Sequence, residues 1–117
     1  MEYQHKELAA GRWFTLSFME QMANIGSEVE RAMKWKAKNN AEYSRAAINR
    51  GLELLELTKA DVRNVHRLKE LARLYEVLVD YFYFSNQYAS SDELWHKYFY
   101  AFNYAARVNG PKSNVDL

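Results

Sequence analysis

Residues 65–84 read VHRLKELARLYEVLVDYFYF. Val65, Leu68, Ala72, Tyr75, Val79 and Phe82 return at alternating steps of three and four. At about 100° per residue this spacing draws one stripe along a helix, the seam expected of coiled-coil-like packing in a bundle. Leu71, Leu74, Leu78 and Tyr81 widen the stripe on one side. His66, Lys69, Glu70, Arg73, Glu76 and Asp80 form the opposite arc, which reads as solvated and suited to ion pairs one turn apart. The stretch predicts an all-α protein.

Upstream, Thr58 with Asp61 three residues on is a capping signature, so this helix is expected over about 59–85. A preceding helix over about 41–57 carries Tyr43, Ala47, Ile48, Gly51, Leu52, Leu54 and Leu55 as its buried set, with Asn39 as N-cap and Glu42 three residues later. EYSRAAINRGLELLEL has the flavour of a tetratricopeptide helix, but nothing recurs at the period of about 34 residues that such repeats need. The first helix is expected over about 11–38. Phe18, Met22, Ile25, Val29 and Met33 form its apolar face, widened by Phe14, Met19, Ala23 and Gly26. Gly26, inside this helix, reads as a point of close helix approach. Glu20, Asn24 and Glu28 lie opposite, as a solvated or partner-facing stripe.

Downstream, eleven of the chain's eighteen aromatic residues fall between Tyr81 and Tyr104. Ser90 and Glu93 read as a capping box for a fourth helix over 91–109, ended by Asn109-Gly110-Pro111, with 111–117 as a loose tail. Leu94, Trp95, Tyr98, Phe99, Ala101, Phe102, Ala105, Ala106 and Val108 form its apolar arc. Four helices joined by brief turns predict one domain, an antiparallel up-down-up-down four-helix bundle.

The totals agree with that picture. The chain has 117 residues, 49% hydrophobic and 26% charged, within the range of an ordinary globular domain. A domain of this size buries enough surface to fold without metal or disulfide staples. It contains no cysteine, which excludes a disulfide framework, a thiolate zinc site and a cysteine nucleophile. No apolar run approaches the roughly 20 residues of a membrane span, and the first residues lack a signal-peptide core. A soluble, cytoplasmic protein is expected. A net charge of +1 places no global demand for nucleic acid or anionic lipid.

The segments WFTLSFMEQMANIGSEVERAMKWK, RGLELLELT and RLKELARLYEVLVDYFY resemble those of a group of small prokaryotic all-helical proteins, with the likeness running from Trp13 to about Val108. The resemblance implies a prokaryotic, single-domain protein and brings with it no activity, cofactor or catalytic residue.

Glu93-x-x-His96 has the Glu-x-x-His spacing of di-metal bundles, but its only companion is Glu2-x-x-His5, and Glu93 and His96 fall on the outward arc of the fourth helix. Helical ribonucleases of toxin systems share an arginine, four to six residues, then a histidine. Here Arg63 precedes His66 with only two residues between. There is no Gly-x-Ser-x-Gly elbow and no Gly-rich phosphate loop. No catalytic residue, metal ligand or cofactor is assigned.

Two surfaces stand out instead. Tyr100 and Tyr104, one turn apart beside Lys97, Asn103 and Arg107, combine contact area with polar ends, as interface residues do. They point to a homodimer or a protein partner, the leading reading. The bland alternative buries this helix on nearly all sides. Residues 31–50 carry Arg31, Lys34, Lys36, Lys38, Arg45 and Arg50 against Glu42 alone. Lys34, Trp35, Lys36, Lys38 and Arg45, near Tyr83, Phe84 and Tyr88, have the components of a single-strand nucleic-acid platform. The bland reading has these cations complement the negative end of the first helix, and nucleic acid ranks second.

Overall fold

The computed structural model describes residues 11–109. It is all-helical: α1 (Phe18–Ala37), α2 (Ala41–Ala60), α3 (Leu68–Tyr83) and α4 (Asp92–Asn109) pack against one another, and two 3-10 segments, Arg12–Thr15 and Val62–Arg67, precede α1 and α3. The chain contains no strand among the described residues. α1 lies along both α2 and α4, while α2 also meets α3. The expected tail 111–117, the Gly110-Pro111 stop and the Glu2-x-x-His5 motif fall outside the described residues.

Local chemistry explains each start. Ser17 caps α1 with a full capping box: its hydroxyl accepts from the Glu20 N–H, and the Glu20 carboxylate accepts from the Ser17 N–H. The helix expected from residue 11 is thus broken. Its first turn is a separate 3-10 segment that drives Trp13 into the core at 1% exposure. α2 is capped by Asn40, which accepts from the Tyr43 N–H, one residue beyond the expected Asn39. Asn39 takes the left-handed conformation, φ 60°, that turns the chain, a role asparagine fills more readily than most residues. Ser91, not Ser90, caps α4 by accepting from the Leu94 N–H. Thr58 caps nothing: α2 continues through it, its hydroxyl donates to the Leu54 carbonyl, and Asp61 accepts the Arg63 N–H that opens the next segment.

The core takes Met22, Ile25, Val29, Ala32 and Met33 from α1 and Ala47, Ile48, Leu52 and Leu55 from α2. α3 contributes Leu71, Leu74 and Leu78, and α4 contributes Trp95 and Phe99. Gly26 lets α1 and α4 approach closely. A Cβ there would lie 2.7 Å from the Phe99 Cβ, so only glycine fits.

The face of α3 differs from expectation. The widening residues Leu71, Leu74 and Leu78 are its buried line, whereas Val65 is 65% and Leu68 40% exposed and Ala72 faces out. Tyr75, Val79 and Phe82 are only partly buried. Two apolar stripes share this helix, which packs against α2, and the leucine stripe joins the core. Asp80, expected on the solvated arc, is buried, and its carboxylate accepts the N–H groups of Gln87 (2.9 Å) and Tyr88 (3.1 Å), folding the 84–91 loop back onto α3.

Candidate interaction surfaces

α4 carries two apolar faces. Inward, Trp95 and Phe99 stack on each other and Tyr98 meets both edge-on. Burial, with the Glu70 charge as a lesser cause, pushes the Tyr98 hydroxyl up to about 12. Outward, Leu94, Tyr100, Tyr104 and Val108 are each at least half exposed, and Ala101 lies among them. Leu94, Ala101 and Val108 were expected in the core arc. They are outside because α1 receives only the arc centred on Trp95 and Phe99, close against Gly26. Lys97, Asn103 and Arg107 are exposed on the same helix. Tyr100 and Tyr104 stack on each other, 6.5 Å between centroids, and His96 leans on Tyr100 at 6.4 Å. His96 Nδ1 lies 2.7 Å from Glu30 Oε2, joining α4 to α1 across the chain. Residue spacing could not reveal this pair, because Glu30 and His96 meet only when α4 packs on α1.

The basic turn is assembled differently from the expected stacking platform. Lys34, Lys36, Lys38 and Arg45 are all exposed, but three of them, Lys36, Lys38 and Arg45, sit on the rings that a nucleic-acid base would need. Lys36 Nζ is 4.4 Å from the Tyr81 centroid, Lys38 Nζ 5.4 Å from that of Trp35, and the Arg45 guanidinium 5.5 Å from that of Tyr83. Trp35 also meets Tyr43 edge to face at 4.8 Å, and Tyr43, expected in the core, is 52% exposed. Phe84 and Tyr88 are exposed, but they lie with Tyr75 and Val79 in a separate groove on α3, where Arg73 covers Tyr88.

A buried polar knot closes the opposite end of α1. Gln21 Nε2 donates to the Trp13 carbonyl and to Asp61 Oδ2, and Asn64 Nδ2 donates to Gln21 Oε1 and the Thr58 carbonyl. Arg63 grips Asp61 at 2.6 Å and reaches the Leu16 carbonyl. This grip and the Gln21 bond hold the Asp61 carboxyl down at about 2 despite its burial. Nothing in the spacing of Gln21, Asp61 and Asn64 marks them as a group. Their roles need three segments folded together.

Among the described residues, no group of three or more histidine, cysteine, aspartate or glutamate side chains is placed to hold a metal ion. Nor is any described helix long and apolar enough to cross a membrane. Comparison with protein-family models, with curated proteins and with solved structures found no match.

Proposed function

We propose that this protein is a non-enzymatic self-association module, an antiparallel up-down-up-down four-helix bundle that forms a homodimer through the outer face of α4. The observation that carries the reading is the second apolar face of that helix, where Leu94, Tyr100, Tyr104 and Val108 remain at least half exposed around Ala101. Monomeric proteins scatter single exposed apolar residues, but a row along one helix is what an interface offers. The charges suit a second copy running antiparallel. With the small Ala101 at the crossing, Leu94 meets the partner's Val108 and Glu93 meets the partner's Arg107, twice by symmetry. Opposed helix dipoles favour the same orientation. The bundle topology draws support from the brief connections and from the Tyr81 hydroxyl, which donates to Asp92 and ties the end of α3 to the start of α4.

Light scattering over a concentration series tests this. A dimer mass is expected, and Ala101→Arg, at an exposed position, yields the monomer with unchanged helicity. A monomeric native chain, or a dimer indifferent to Ala101→Arg, would overturn it.

A second reading, a nucleic-acid accessory protein using the basic turn, rests on the exposure of Lys34, Lys36, Lys38 and Arg45 together. With the neighbouring rings already covered by Lys36, Lys38 and Arg45, it retains phosphate neutralisation and loses base stacking. Labelled RNA and single-stranded DNA titrated at two salt concentrations test it, and no binding at low salt removes it.

A further inference from the structure

The turn between α1 and α2 and the last turn of α3 enclose a cleft of about 300 Å³, at the lower end of small-molecule pockets. Lys36, Ser44, Arg45, Ile48, Phe82 and Tyr83 contribute to its walls, and no carboxylate side chain does so among the described residues. Both cations are positioned. Lys36 Nζ lies over the Tyr81 and Phe82 rings, at 4.4 and 5.5 Å from their centroids, and Arg45 lies over Tyr83. Tyr83 is itself fixed, because its hydroxyl donates to Asn49 Oδ1. Ser44 is committed to the Ala32 carbonyl and stiffens the α1–α2 side.

A guanidinium held over a ring keeps N–H groups for two oxygens of an oxyanion. An ammonium above a ring keeps its remaining donors for the same purpose. Ile48 is buried and Phe82 partly so, and they give the cleft an apolar wall beside the charges. Two positioned positive charges match a dianion better than a carboxylate, which offers one negative charge.

We propose that this cleft binds a phosphate monoester, with Lys36 and Arg45 holding the phosphate and Ile48 and Phe82 against its organic group. The site shares no residue with the α4 face and does not depend on dimer formation. A free phosphate monoester and the 5′-phosphorylated end of a nucleic acid present the same chemistry.

The test titrates phenyl phosphate into the full chain and follows the NMR signals of Lys36, Arg45 and Tyr83. Saturable shifts are expected, weakened about tenfold by Arg45→Gln and by Lys36→Gln, with benzoate binding more weakly than phenyl phosphate. Both substituted positions are exposed, and circular dichroism verifies that the variants fold. A 5′-phosphorylated oligonucleotide that binds more tightly than its 5′-hydroxyl counterpart assigns the ligand to a nucleic-acid end. Binding of phenyl phosphate with neither oligonucleotide bound assigns it to a free ester. The absence of saturable shifts, or binding unchanged in both variants, would overturn the proposal.

Discussion

Trp13 and Thr58, separated by 45 positions, are joined inside the protein by a hydrogen bond of 3.0 Å from the indole Nε1–H to the threonine Oγ1. The Thr58 hydroxyl itself donates a hydrogen bond to the Leu54 carbonyl at 2.8 Å, so one hydroxyl serves both the helix and the indole. Through Gln21, which donates to the Trp13 carbonyl, the same residue is tied to Asp61 and Asn64. The 3-10 segment before α1 is thereby fastened to the junction between α2 and α3.

Thr58→Val keeps the shape and removes the acceptor, leaving a buried indole N–H without its partner. A loss of about 1–3 kcal/mol is expected in urea unfolding, the cost of desolvating an unsatisfied donor. Trp13→Phe combined with Thr58→Val should cost less than the two single changes added together, because the groups act as a pair. Additive costs would show that the bond contributes no coupling.

Asp61 predicts an acid limb of stability. Its folded carboxyl titrates at about 2, below the ordinary 3.8, chiefly because of the Arg63 hydrogen bond. The folded state therefore binds the proton less readily than the unfolded chain, and this contribution is full above pH 3.8 and lost as pH falls through about 2. Native protein and Asp61→Asn, compared by urea unfolding from neutral pH into that window, should differ at neutrality and converge below it. A constant difference would remove Asp61 as the source.

Gly26→Ala should destabilise, against the usual trend. An alanine inside a helix ordinarily gains about 1 kcal/mol over glycine. Here the added Cβ meets the Phe99 Cβ at 2.7 Å, an atom that no rotamer change can move aside. A net loss of about 1–3 kcal/mol is expected from overpacking, read as a lower Tm. A raised Tm would mean that α1 and α4 separate at little cost.

Asp80→Ala should free the loop over residues 84–91 without unfolding the helices. The carboxylate accepts two backbone N–H groups, and removing both bonds is expected to cost about 1–3 kcal/mol. Amide exchange should accelerate at Gln87 and Tyr88 while Leu71 and Leu74 stay protected. Uniform acceleration would place Asp80 in the global core instead.

The tetrad spacings on α1 made its buried line legible, and Met22, Ile25, Val29 and Met33 are all in the core. The same kind of spacing misled on α3 and α4, because each helix bears two apolar stripes. Periodicity marks a stripe as apolar but contains nothing about which neighbour covers it. Along α3 and the 3-10 segment before it, the regular Val65, Leu68 and Ala72 line has the spacing of a seam but is exposed, and Leu71, Leu74 and Leu78, expected to widen the buried arc, are the residues in the core. On α4, Trp95 and Phe99 were read correctly as core, while Leu94, Ala101 and Val108 turned out to face outward. The caps erred by one residue where chemically equivalent neighbours compete. Asn39 and Asn40 can each cap, and the left-handed backbone of Asn39 decides between them.

The candidate surfaces divide in the same way. Tyr100 and Tyr104 could be placed on an outer arc from helical phase alone, and the clustering of Lys34, Lys36, Lys38 and Arg45 is a matter of counting. That Lys36, Lys38 and Arg45 lie on Tyr81, Trp35 and Tyr83 could not be read, since each ring contact depends on how its element is packed.

By itself, the sequence determined the helical content and the residues able to be buried, because backbone period and side-chain polarity are local properties. Only the tertiary structure decided which of two apolar stripes is core, which cation sits on which ring, and that Trp13 closes onto Thr58. Those outcomes depend on distances between segments far apart in the chain, and side-chain spacing along one helix carries no term for them.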